Sequence, residues 1–228
     1  MAVGQFLVGL GKRWYAGVRA SYGTTKVRLQ EPWAEPLPIL PVELDKTIAA
    51  VGLKVERDSR DNIFYPTAGS RLQLLVNHND TGFGSDYNFT KTWLTYADYI
   101  KLSEPLVLAV EGAGCDSSDG APFFGLCYFG AKNVLRGYTA GRYLERWMLG
   151  TQAEVRWRFA NRWITTAFAG VADVKPAFPA SKDTEWLPGG GVGIHWIAAP
   201  ENMITVRAEY AWGTAGAHGF YVSIGQAF

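Results

Sequence analysis

Along most of this chain hydrophobic side chains recur at every second position, the spacing that gathers them on one face of an extended strand. The clearest run is residues 203–213, where Ile204, Val206, Ala208, Tyr210 and Trp212 oppose Thr205, Arg207, Glu209 and Ala211. Over residues 151–159, Ala153, Val155, Trp157 and Phe159 oppose Gln152, Glu154, Arg156 and Arg158. Four long polar side chains on one strand face do not enter a dry core. In a soluble sandwich they point to solvent; in a barrel they line a wet lumen. Comparable segments cover 3–9, 13–22, 47–57, 69–78, 87–101, 105–114, 163–174, 188–198 and 220–228, which makes eleven. No stretch of helical period interrupts them, so one continuous meander over residues 1–228, a single domain, is the simplest organisation.

The connections between segments alternate in length. Residues 30–41, 80–86, 115–146, 175–187 and 214–217 fall at one end, and 60–69, 102–104, 160–162 and 199–202 at the other. Long outer loops opposite short periplasmic turns are the habit of outer-membrane barrels. Single-chain bacterial barrels are also even-stranded, which moves the expected count to about twelve, with about ten as the fallback. The final segment is predicted to close the barrel: Phe220, Val222, Ile224 and Phe228 share one face, Tyr221, Ser223, Gly225 and Ala227 the other, and the strand stops on an interfacial aromatic. The expected fold is therefore all-β, a transmembrane antiparallel up-and-down β-barrel.

Composition narrows the choice further. The 228 residues include 12 Phe, 11 Tyr, 9 Trp and 26 Gly, a richness in aromatic and small residues that suits a lipid-facing stripe of period two. No run approaches the roughly 20 apolar residues of a spanning helix. The net charge of +1 leaves no basic face for nucleic acid. Residues 1–10 carry no positive leader and no clear cleavage site, so either a signal has been removed or the sequence starts inside the mature chain. Cys115 and Cys127 sit in one loop containing Gly, Ser and Asp; a disulfide is expected in an exported protein, and two free thiols in a reducing compartment are the alternative. No further ligands for zinc lie nearby, and neither a metal nor a cofactor is expected. His78, His195 and His218 form no nucleophile or metal constellation and read as structural or interfacial.

Three separated stretches carry a family resemblance. Residues 130–138, Gly-Ala-Lys-Asn-Val-Leu-Arg-Gly-Tyr, followed by Gly141-Arg142-Tyr143 and Gln152-Ala153-Glu154-Val155-Arg156, resemble the bacterial surface antigen family, the barrels of BamA-like and TamA-like outer-membrane assembly factors. The turn from Asp58 to Gly69 resembles that family's periplasmic turn, and Phe220 to Phe228, with Val222, Ile224 and Gly225, its closing strand. The resemblance implies that the long loop after the sixth segment folds into the lumen with Arg136, Gly137 and Tyr138 at its tip, and that Glu154 is the wall acid matching Arg136. A guanidinium inserted into a partly desolvated lumen needs such a carboxylate. The family's second acidic partner, on the next strand, is missing: Gly170 falls about where it would lie, and Asp173 faces the opposite way. Without the flanking matches, Arg136-Gly137-Tyr138 reads as a solvated outer turn, Glu154 with Arg156 and Arg158 as a mixed-charge ladder, and residues 58–69 as an ordinary tight turn.

The implied activity is non-enzymatic: insertion or translocation of membrane proteins in the bacterial outer membrane, without the periplasmic polypeptide-transport-associated domains, for which this chain has no room. Implied partners are outer-membrane lipid and lipopolysaccharide, unfolded barrel substrates, a separate periplasmic protein, and a second copy of the chain. A passive pore or oligomeric scaffold is the alternative. A barrel lipase or acyltransferase would need Ser223 and His218 to meet, and no motif supports that.

Overall fold

The computed structural model describes residues 1–28, 43–128, 130, 134–139, 143–175 and 185–228. Each period-two segment forms a strand: β1 (Ala2–Gly11), β2 (Trp14–Arg28), β3 (Glu43–Asp58), β4 (Gly69–Asn79), β5 (Phe89–Ser103) and β6 (Leu106–Ser117). The long connection that follows holds two short strands, β7 (Cys127–Tyr128) and β8 (Leu144–Glu145). The wall resumes with β9 (Trp147–Ala160), β10 (Trp163–Lys175), β11 (Glu185–Ala199), β12 (Ile204–Gly213) and β13 (His218–Ile224). Eleven strands pair antiparallel in chain order into one sheet, and β7 pairs with β8. The eleven segments legible in the sequence are thus the eleven wall strands; the twelfth that evenness demanded is not among the described residues. The outer connections 30–41 and, for the most part, 175–187 lie outside the described residues.

Register fixes which side chains share a face. One row runs Leu108, Val155, Ala167, Val192, Tyr210 and Phe220 across β6 and β9–β13. The next runs Ala109, Glu154, Phe168, Gly191, Ala211 and Gly219 across the same strands. The first kind of row is exposed: Phe6, Leu53, Trp157, Trp212, Phe220, Val222 and Ile224 all stand clear of other protein. The second kind is buried and carries Glu154, Arg156, His195, Arg207 and Glu209. Apolar outside and polar inside reverses a water-soluble domain and is what a transmembrane β-barrel wall requires.

The lumen is filled in layers. At the outer end, Val134, Leu135 and Tyr138 of the long connection pack on Met148, Ala172, Val174 and Leu187 of the wall. Charged side chains occupy the middle. At the inner end, Tyr65 packs on Ile164 and Ile197, and Phe228 on Ala97, Tyr99 and Ala109. Phe228 therefore departs from expectation. The ladder ends at Ile224, Gly225 takes a positive φ of 84°, and the chain turns inward, so Phe228 lies inside while Phe220, Val222 and Ile224 face outward. No ladder joins β1 to β13 among the described residues, and β1 is exposed on nearly every position of both faces.

The turn between β3 and β4 is held by its own side chains. Asp61 Oδ1 accepts the backbone N–H groups of Asn62, Thr67 and Ala68, and Oδ2 accepts the Thr67 hydroxyl at 2.5 Å. Asn62 Oδ1 accepts from Phe64 and Tyr65. Burial pushes the Asp61 carboxyl up, but the Thr67 hydroxyl and those N–H groups outweigh it and leave the group below the ordinary value of 3.8. A carboxyl depressed by folding stabilises above its ordinary pKa, and that contribution disappears as pH falls through the lowered value. Amide-exchange protection at Thr67 and Ala68 should therefore hold at neutral pH and be lost reversibly on acidification below 3.8. Asp61→Asn should remove the pH dependence; a wild-type profile flat down to about pH 2 would contradict the assignment.

Candidate functional site

Arg136 sits at the turning point of the long connection, and three independent features bring it to the wall. Gly137 has a φ of 105°, and a Cβ there would meet the Trp212 backbone at 2.7 Å, so only glycine allows the tip to lie this close to β12. The Gly137 N–H donates to the Tyr221 hydroxyl at 3.1 Å. The Tyr138 hydroxyl donates to the Pro188 carbonyl at 2.6 Å and accepts the Thr214 N–H at 3.0 Å. The tip is thereby fixed to β11, β13 and the β12–β13 turn before any charge is considered.

The guanidinium of Arg136 then meets two carboxylates. Nη2 donates to Glu154 Oε2 on β9 at 2.5 Å, and Nη1 to Glu209 Oε1 on β12 at 2.8 Å. Its flat face lies 3.4 Å from the ring centroid of Phe168 on β10. Gly191, beside Phe168 on β11, makes room for that ring, since a Cβ there would stand 2.3 Å from it. Glu154 is shared: its Oε1 accepts Arg156 Nε at 2.7 Å. Glu209 is shared with Arg207 and approached by His195 Nε2 at 3.3 Å. Three guanidiniums face two carboxylates in a space where almost no side-chain surface reaches solvent. Isolated burial of such charges costs several kcal/mol each, so every one must find a counter-charge, a dipole or an aromatic face.

Arg136, Gly137, Tyr138 and Glu154, singled out from the sequence, thus converge on one point. Of the residues around that signature, Ala131–Asn133, Gly141 and Arg142 lie outside the described residues. The second acid is not on the strand after Glu154, where Gly170 stands, but further along the wall, as Glu209 on β12. The strand after Glu154 contributes Phe168 instead, and at Gly170 a Cβ would lie 2.4 Å from the Thr151 carbonyl oxygen. Glu209 already stood on an inward-facing row, but nothing in strand spacing says which inward acid faces which inward base across a curled sheet. His195 joins the same network.

Cys115 and Cys127 form a disulfide. Cys115 belongs to β6 rather than to a loop, so the bridge fastens the start of the long connection to the wall. Ser223 and His218 stand on opposite faces of β13: Ser223 accepts Arg207 Nε at 2.6 Å, and exposed His218 pairs with the Gly216 carbonyl. They do not form a nucleophile and base.

Removing one member of the network has unequal costs. Arg136→Ala leaves Glu154 with Arg156 and Glu209 with Arg207, whereas Glu154→Ala leaves Arg156 with no acidic side chain as partner among the described residues. Glu154→Ala should destabilise the barrel by about 3–5 kcal/mol and Arg136→Ala by less. Urea unfolding in detergent, followed by gel mobility with and without heating, reads both; equal losses or the reverse order would refute this charge assignment. Replacing both cysteines by serine should leave the sheet intact and speed trypsin cleavage of residues 118–146, because the base of the connection loses its covalent tether to β6.

A family model described as the Omp85 superfamily domain matches residues 2–228. Among solved structures, the crystal structure of BamA from Haemophilus ducreyi lacking POTRA domains 1–3 superposes with a TM-score of 0.75 at 15% identity, covering 97% of this chain and 52% of that one. The chain spans about half the length of that structure. No curated protein matches.

Proposed function

Because the chain belongs to the Omp85 superfamily, we propose that residues 1–228 form an integral outer-membrane barrel domain that helps other polypeptides insert into or cross that membrane without covalent chemistry. The observation carrying this reading is the pair of unladdered edges: β1 and β13 end the sheet, each with one side hydrogen-bonded and the other without a ladder among the described residues. An open edge presents backbone N–H and C=O groups that can template an extended segment, here in a place where lipid offers those groups no other partner. The locked loop tip keeps the lumen filled while the seam stays available. Candidate partners are outer-membrane lipid and lipopolysaccharide around the apolar wall, unfolded barrel strands at the seam, and a periplasmic protein at the inner turns. The same edges admit a second copy of the chain.

A passive pore is a second reading with one observation in its favour. On the β2–β4 side the lumen-facing Arg19, Lys54, Glu56 and Arg71 are only partly buried, unlike their counterparts on β9–β12. Vesicles containing the purified chain should fold an added unfolded barrel substrate faster than protein-free vesicles, and Glu154→Ala should reduce that gain. Equal folding rates together with steady conductance in planar bilayers would replace the assembly reading with the pore.

A further inference from the structure

Below the charge network the chain leaves the wall. After Gly225 the N–H of that residue donates to the Thr205 carbonyl at 2.8 Å, and Gln226 Nε2 donates to Thr205 Oγ1 at 2.8 Å. Phe228 then enters a chamber built by distant parts of the sequence. Its ring lies 6.5 Å from that of Tyr99 on β5. The guanidinium of Arg156 on β9 lies 5.6 Å from the rings of Phe228 and Tyr99 and 5.8 Å from that of Tyr65 in the β3–β4 turn. Arg156 Nη1 donates to the Pro66 carbonyl and Nη2 to the main-chain oxygen of Phe228, both at 3.4 Å.

Chamber and occupant are built differently. Tyr65, Tyr99, Ala109, Glu154 and Arg156 are all buried and belong to strands or to the braced turn. Phe228 is only partly buried, makes one long hydrogen bond to Arg156, and follows Gly225, where a Cβ would meet nothing within 4 Å and the positive φ suits a pivot. Among the described residues Glu154 is the acidic side chain that pairs with Arg156, and Arg136 shares it, so aromatic faces offset part of the Arg156 charge.

We infer that the Arg156 chamber is a binding site for an aromatic side chain of an extended peptide segment, filled in this structure by Phe228, and that its occupancy reaches the long connection through Arg156, Glu154 and Arg136. With the aromatic in place, Arg156 is held against Glu154 Oε1, and the carboxylate presents Oε2 to Arg136. With the chamber empty, Arg156 loses an aromatic face and the Phe228 main-chain oxygen at once and competes with Arg136 for both oxygens of Glu154. An aliphatic side chain fills the volume but offers no π face. The identity of the exchanging segment, a stretch of a polypeptide handled at the seam, rests on the function proposed above.

The test needs no such polypeptide, so its failure leaves the folding assay untouched. The full chain in detergent, as wild type, Phe228→Ala and Phe228→Leu, is digested with trypsin, and cleavage within residues 118–146 is timed. Cleavage should be about tenfold faster in Phe228→Ala, the scale of one desolvated cation–π contact, with Phe228→Leu nearer to Phe228→Ala than to wild type. A blocked peptide Ser-Ile-Gly-Gln-Ala-Phe in excess should return Phe228→Ala to the wild-type rate, and the same peptide ending in Ala should not. Unchanged cleavage in Phe228→Ala, or protection by both peptides or by neither, overturns the site. Should Phe228→Ala give no heat-modifiable barrel, wild-type protection in Phe228→Leu overturns it instead.

Discussion

A carboxylate placed between two guanidiniums, where water does not reach, organises this molecule. Glu154 offers one oxygen to Arg136, which arrives on the long connection, and the other to Arg156, which faces the inner end of the lumen. Arg136 also reaches Glu209, which it shares with Arg207. Charges in such a setting are fixed in direction as well as in number, because losing a hydrogen bond there exposes no solvent that could replace it. The apolar layer of Leu135 and Tyr138 above and the aromatic layer of Tyr65, Tyr99 and Phe228 below keep the carboxylate dry. The middle of the lumen therefore depends on both ends being closed.

The wall around it has the opposite character. Outward rows of Leu, Val, Tyr and Trp are fit for hydrocarbon, and among the described residues each wall strand between β1 and β13 is laddered on both sides. β1 differs from its neighbours in having neither face covered. A strand with one ladder and two bare faces is the least constrained part of the wall, and it lies at the seam.

Much of this was legible in the sequence, for a specific reason. Period two assigns a side to each residue, so Glu154, Arg156 and Glu209 were known to face inward and Trp157 and Trp212 outward. Arg136 was legible through its motif. What period two does not encode is the curl and stagger of the sheet, and these decide that Glu209, Phe168 and His195 surround Arg136 while Gly170 supplies no acid. Phe228 differs for another reason: alternation predicts an outward side chain beyond Gly225, but a single residue of positive φ ends the strand and turns Phe228 inward. Evenness, a property of complete barrels, predicts about twelve strands, whereas the period-two segments number the eleven that form the sheet among the described residues.

The bridge from Cys115 to Cys127 sets a radius for the plug. Arg136 follows Cys127 by nine residues (136 − 127), and nine extended residues reach about 30 Å at most. That length is comparable to the roughly 25 Å height of a barrel's apolar band. If its salt bridges break, the tip stays within that reach, captive to the strand beside it.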